Sequence, residues 1–233
     1  MIDLSTYVDL SEEFYQPLLP RTHLGVFDLV EVADFMDRRE TEQASGWRAP
    51  DCYISPQAVV APDVVVGARA QIHEFATVRS GSIIGDDAVV GFGCEVSRSI
   101  VAASSTLTHR VTVCSAIIGR GTHLGAGVVI ANTHLFDEDM RRPSRPISID
   151  DSHGVAHMLG VARFGGVLGD SVRVGMGAML GPGTLVGPRS LIYPGVLLGN
   201  GTIGEDKIVK HATRTYTVHE LRPTAANGFT HVR

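Results

Sequence analysis

An aliphatic residue returns at every sixth position over most of the chain. One run of starts is Ile54, Val60, Val66, Ile72, Val78, Ile84 and Val90. A second is Ile100, Thr106, Thr112, Ile118, Leu124 and Ile130, and a third is Leu168, Val174, Leu180, Val186, Ile192 and Leu198. Of these 19 hexads, 17 open on Ile, Leu or Val, and ten continue with Gly, among them Gly67, Gly85, Gly91, Gly119 and Gly125. The fifth place is small or β-branched, as in Ala58, Ala70, Cys94, Ala116 and Thr122. A helix cannot carry this pattern, because its stripe repeats about every 3.6 residues and each interior Gly costs ~1 kcal/mol. A flat sheet alternates with period two and needs no sixfold Gly. A glycine-rich β-sandwich would not hold a fixed phase. A short strand and a corner in every six residues fits: the aliphatic points inward, the small residue fills the corner, and Gly supplies a permissive backbone. Three sides close a triangular coil of about 18 residues, with successive coils ~4.8 Å apart. The fold class is therefore all-β, a parallel β-helix built as a hexapeptide-repeat solenoid.

Two breaks interrupt the phase. Between Val96 and Ile100 one side is only four residues long. Between Leu135 and Leu168 a charged segment leaves the repeat, which predicts an inserted loop at 136–167. A long loop on a rigid scaffold is more often functional than decorative. Residues 1–50 lack the hexad. DLSEEF at 9–14 predicts a capped turn with Ser11 as N-cap, and 25–43 predicts an amphipathic helix with Phe27, Val30, Ala33 and Met36 near one face. This short helical N-terminal part is expected to cover the first coil, as a solenoid end requires. The domain reading is a cap at 1–50, a β-helix at 51–204 and a tail at 205–233 that packs over the last coil.

Composition narrows the chemistry. The net charge is −5, and the cations are 18 Arg with only Lys207 and Lys210, which disfavours a nucleic-acid partner. No apolar run reaches the ~20 residues needed to span a bilayer, and the start lacks a secretion-signal pattern. Cys52, Cys94 and Cys114 form neither a disulfide framework nor a CxxC pair, so the expected setting is cytoplasmic. His123, His134, His153 and His157 raise the question of metal, but the spacing supports no built site, and none is expected.

The hexads, with RSGSIIG at 79–85, GFGCEVSRSIV at 91–101, THRVTVCSAIIGRGTHLGAGVVIAN at 108–132 and FGGVLGDSVRVGMG at 164–177, resemble the left-handed β-helix acyltransferases. The likeness is greatest to the acetyltransferase domain of the bifunctional UDP-N-acetylglucosamine synthesis enzymes and their archaeal-type sugar-phosphate versions. It spans roughly 54–200, and handedness is implied by it alone. The resemblance implies an acetyl-CoA-dependent enzyme, assembled as a homotrimer, acting on a small-molecule amine. It implies His109 as general base, Glu95 as its supporting carboxylate, Arg79 as the phosphate grip and Asn132 as a contact to both substrate and acetyl-CoA. Ser97 stands where the family has a lysine, Thr112 where it has a tyrosine and His123 where it has an asparagine, so the acceptor is expected to differ. No nucleotidyltransferase domain is expected, since only some 50 residues precede the repeat. Met176, Tyr193, Lys207 and Lys210, with Arg214, are the candidate contacts for the coenzyme.

The residues also make sense chemically. Counting along the coils puts Arg79, Ser97 and Val113 in one column, and Glu95 one coil before His109. An imidazole with a pKa near 6.5 suits deprotonation of an amine at neutral pH, and a carboxylate can fix its tautomer. The oxyanion of acyl transfer needs an N–H donor, expected from the glycine-rich stretch 119–127. Three readings follow: N-acyl transfer to an amino sugar or related amine, O-acyl transfer to a hydroxyl, or a non-catalytic scaffold. The first two share His109 as base, and the His109, Glu95 and Asn132 spacing ranks the scaffold last.

Overall fold

The computed structural model of the chain describes residues 2–10, 28–41, 45–151, 154–212, 223–224 and 228–229. Its body is a parallel β-solenoid whose coils stack into three walls of eight, eight and seven strands, so every strand interior to a wall pairs with both neighbouring coils. Wall I runs from Trp47–Arg48 through Ile83–Ile84 and Ala116–Ile118 to Gly201–Ile203. Wall II runs from Tyr53–Ile54 through Thr106–Leu107 and His123–Leu124 to Ile208–Val209. Wall III runs from Val59–Val60 through Glu95–Ser97 and Thr112–Cys114 to Leu197–Leu198. Pairing therefore begins before residue 51 and continues past 204, because Lys207 and Ile208 still belong to a coil rather than to an overlying tail. The interior is a column of small aliphatics such as Val66, Ile84, Val101, Leu107, Val113 and Ile118, with Cys94 among them.

The inward starts differ from the sequence count at three places. Val101, Leu107 and Val113 point inward, where Ile100, Thr106 and Thr112 were expected. The reason is two sides of five residues, Val96 to Val101 and Val113 to Ile118, instead of one side of four; a third such side, Leu198 to Ile203, follows near the end of the rod. Arg98 and Ser115 each turn their corner in a left-handed conformation, with φ 49° and 50°. Buried serines satisfy the shortened corner: the Ser99 hydroxyl donates to the Ser97 carbonyl at 2.8 Å and accepts from the Ala116 amide at 3.1 Å. Sequence alone is ambiguous here because Ile100 and Val101 are both aliphatic.

The glycines after the inward aliphatics have a different cause from the one expected. None of the ten has a positive φ. At Gly67, Gly91, Gly119, Gly125, Gly169, Gly175 and Gly187 the next coil is too close for a side chain: a Cβ on Gly91 would lie 1.6 Å from the Thr108 carbonyl oxygen, which no relaxation of a side chain relieves, whereas Gly199 has open space.

Wall I is covered on its outer face. Val65, Ile83, Ile100, Ile117, Val167 and Leu185 form a ladder there in direct register. Against it pack Leu4, Val8 and Leu10 of the amino-terminal segment, and Leu29, Val32, Ala33 and Met36 of helix α1 (Leu29–Thr41). The helix was expected over 25–43 and over the first coil; it lies instead along a wall. Arg39 fixes it there, donating to the Gly81 and Asp63 carbonyls at 2.8 and 3.0 Å. The turn expected around Ser11 lies outside the described residues, as does Phe27.

The insertion leaves after Ile130 and returns at Gly166. It forms an antiparallel hairpin, Ser148–Asp150 with Ala156–Met158, and buries Ile147, Ile149, Leu159, Val161 and Phe164 against the same wall. The chain thus sheathes wall I and leaves the opposite corner, between walls II and III, to present its chemistry.

Candidate active site

From the second coil onward the chain crosses from wall II to wall III through two corner residues, the second left-handed: Phe75, Gly93, Arg110 and Gly127 have φ of 59°, 65°, 51° and 70°. The amides of Gly93, Arg110 and Gly127 donate to the carbonyls of Glu74, Phe92 and His109 on the coil before, at 3.0, 2.8 and 2.9 Å. Glu74, Phe92 and His109 therefore occupy one column on successive coils. The column continues through Ala126 and Met176, whose carbonyls accept from Gly177 and Gly195 at 2.9 Å each.

Two hollows lie along this edge. The first, of about 370 Å³, is lined by His73, Glu74, Gly91, Phe92, Thr108 and His109. His73 Nδ1 lies 3.9 Å from a Glu74 carboxylate oxygen, and Phe92 meets Phe75 edge-on at 5.5 Å. The second hollow, of about 430 Å³, is lined by His123, Arg173, Met176, Leu191, Tyr193 and Pro194. His109, His123, Met176 and Tyr193, chosen from sequence, thus share one edge, and all four are exposed. Lys210 joins them, with its Nζ 5.5 Å above the Tyr193 ring. Lys207 is exposed on the same final coil. Arg214 lies outside the described residues.

The other candidates sit across wall III. Arg79, Ser97 and Cys114 are in direct register, so Cys114 takes the place expected for Val113, which points into the core. Glu95 is in register with Thr112, three positions along from His109. Its partner is Arg79, whose guanidinium lies 2.6 Å away, rather than the imidazole expected from sequence. Burial and the Glu95 carboxylate push the Cys114 thiol above its ordinary pKa, against the smaller pull of Arg79 and Arg98, so it remains protonated. Asn132 stands where the insertion leaves wall III. Its side-chain amide donates to the Ser115 hydroxyl at 3.0 Å, which also accepts from Arg98 at 3.3 Å. One chain therefore holds two groups of candidates, His109 on one edge and Asn132 with Arg79 near the other.

The glycine amides expected to meet an oxyanion are engaged. Those of Gly119, Gly121, Gly125 and Gly127 donate to the carbonyls of Leu168, Ala103, Val174 and His109. Sequence reasoning missed His73, Glu74 and Phe92. Their signal was present as spacing, since Glu74 and Phe92 precede His109 by two coils and one coil, respectively. Among the described residues, no group of three or more His, Cys, Asp and Glu side chains could hold a metal ion. His157 pairs with Asp151 at 2.9 Å, and His153 lies outside the described residues. No helix among the described residues is long and apolar enough to cross a membrane.

The family described as the GMPPB C-terminal domain matches residues 60–146, a stretch that holds Arg79, Glu95, Ser97, His109, Thr112, His123 and Asn132. The chain is similar to the bifunctional protein GlmU of Leifsonia xyli, 37% identical over 68 residues, which are 29% of this chain and 14% of the relative. It is also similar to GlmU of Cupriavidus pinatubonensis, 32% identical over 113 residues, 48% of this chain and 23% of the relative. It thus spans less than a quarter of these relatives' length. Among solved structures, a variant of AntD, an N-acyltransferase from Bacillus cereus, in complex with dTDP and coenzyme A, is 13% identical with a TM-score of 0.37, covering 72% of this chain and 80% of that one. By its six-residue repeat, its parallel solenoid and the GlmU proteins it is similar to, the chain resembles the hexapeptide-repeat acyltransferases.

Proposed function

We propose that the protein is a CoA-thioester-dependent N-acyltransferase that moves an acetyl group from acetyl-CoA to the amine of an amino sugar. The observation that carries this reading is the position of His109: it lines a cleft, and its column leads directly to a second hollow edged by Met176, Tyr193 and a lysine. The first hollow suits an acceptor, and the second suits a pantetheine arm and its nucleotide. His109 takes a proton from the acceptor nitrogen as it attacks the thioester carbon. The C–S bond then breaks, and the imidazolium returns the proton to sulfur, without a covalent enzyme intermediate. Glu95 and Arg79 act as a pair beside this site, with Thr112 and His123 as neighbouring contacts.

Both hollows are open, and Phe75, Phe92, Met176 and Tyr193 leave apolar surface along the edge. A closed three-fold assembly would cover that surface. It would also bring the Asn132 edge, and the insertion, of one copy to the His109 edge of the next, which a single chain keeps apart.

The test is release of free CoA thiol from acetyl-CoA with amino sugars and their hydroxyl counterparts as acceptors. His109→Ala should lower the rate by about 10²–10⁴-fold at unchanged Tm. A variant that keeps its rate removes His109 from the mechanism, and acylation of hydroxyls in preference to amines replaces N- by O-acyl transfer.

A further inference from the structure

We infer that Glu74 selects the acceptor, and that this acceptor is a cationic primary amine with no phosphate monoester in the cleft. The inference rests on the N-acyltransferase reading and names its substrate class. Glu74 occupies the same corner position as His109, two coils earlier, and both line the first hollow. Among the residues lining that hollow, Glu74 is the one carboxylate, and none is Lys or Arg. Arg110 follows His109 but belongs to the adjacent column, where a Cβ on Gly93 would lie 3.4 Å from its Cγ. The hollow therefore carries negative rather than positive formal charge.

The cation that the family likeness assigns to a phosphate, Arg79, lies outside this hollow and is spent. Arg79 is bound to Glu95 at 2.6 Å, which cancels its charge, and the register neighbours Ser97 and Cys114 are neutral. A phosphate dianion in the hollow would face the Glu74 carboxylate with no Lys or Arg in the lining to offset it. An ammonium fits instead. Glu74 offers it a charge-assisted hydrogen bond, and the exposed ring of Phe92, the next residue in the column, offers an apolar and cation-attracting face.

The proton balance is complete. The bound ammonium gives one proton through His109 to water. The amine nitrogen bonds to the acetyl carbon, the C–S bond breaks, and the second departing proton passes through His109 to the CoA sulfur. Glu74 touches the substrate ammonium but takes no proton.

The test compares glucosamine, glucosamine 1-phosphate and glucose on the full chain. Equilibrium binding is measured without acyl-CoA, and thiol release with it. Wild type should bind glucosamine at least about tenfold more tightly than either of the others, a difference of ~1.4 kcal/mol. Glu74→Gln should erase most of the preference over glucose, raise KM for glucosamine about tenfold and change kcat little; Glu74→Asp should restore part of it. Stronger binding of glucosamine 1-phosphate, no detectable binding of glucosamine, or unchanged ratios in Glu74→Gln would overturn the inference. Binding that follows the predicted order without any acyl transfer would instead overturn the N-acyltransferase reading and leave the Glu74 assignment standing.

Discussion

Arg79 and Glu95 face each other across adjacent coils, guanidinium to carboxylate at 2.6 Å, on the wall between His109 and Asn132. Both are about half exposed, so the pair adds little to stability, ~0.2–1 kcal/mol at most. Its effect is on what else Arg79 can hold. Glu95→Gln should free the guanidinium and improve binding of glucosamine 1-phosphate relative to glucosamine about three- to tenfold, at nearly unchanged Tm. Titration calorimetry with both sugars decides this, and an unmoved ratio rejects it.

Tyr193 lies beneath Lys210 and beside Met176 in the second hollow. Its ring offers a flat surface to a nucleotide base, worth ~0.5–1.5 kcal/mol beyond burial. Tyr193→Ala should therefore raise KM for acetyl-CoA up to about tenfold with little change in kcat. Steady-state kinetics at saturating acceptor measure both constants, and a fall in kcat alone would remove Tyr193 from coenzyme binding.

Asp170 pins the amino-terminal segment to the solenoid. Its carboxylate accepts from the Asp9 and Arg120 amides at 2.8 and 2.7 Å, and its own amide donates to the Tyr7 carbonyl at 2.9 Å. Burial raises its pKa above the ordinary 3.8, outweighing the lowering by the two amides. A raised folded-state value means that the native state binds more protons than the unfolded one. The stability contributed by this group is full below pH 3.8 and declines as pH rises through the folded-state value. Asp170→Asn, which replaces an acceptor oxygen by a donor, should destabilise more at pH 4 than at pH 7. Thermal melts at the two pH values read the difference, and a larger loss at pH 7 contradicts it.

Phe164 anchors the returning end of the insertion and is only 1% exposed. Its amide donates to the Asn132 carbonyl at 2.9 Å, and its carbonyl accepts from Gly183 at 3.1 Å. Phe164→Ala should cost about 3–5 kcal/mol and open residues 136–163 to limited proteolysis. Denaturant melts and protease mapping test both parts; an intact insertion would mean that the hairpin, not Phe164, holds it.

The solenoid was legible in the sequence because each coil repeats the same demand, one inward aliphatic and one small corner residue. Where two aliphatics stand together, the demand has two solutions. Ile100 and Val101 are such a pair, and so are Val65 with Val66, Ile83 with Ile84 and Ile117 with Ile118. In each, one residue faces the core and the other faces outward. Doubling alone does not mark a covered wall, since Val59 and Leu197, the outward members of equal doublets on wall III, stay exposed; what sets wall I apart is the unbroken outward ladder against which α1 packs. The site was half legible. His109 stood out through its family likeness, whereas Glu74 and Phe92 become neighbours only once the coil lengths of 18 and then 17 residues are known from the strand registers.

The three shortened sides and the insertion all fall at the turn from wall III to wall I. That turn absorbs a deletion of one residue or an excursion of dozens while the stacking on either side stays in step. Diversity in length is thereby confined to one seam of the rod. The seam bearing His109 keeps a constant two-residue bend, so new sequence can be spliced into this scaffold without moving its reactive edge.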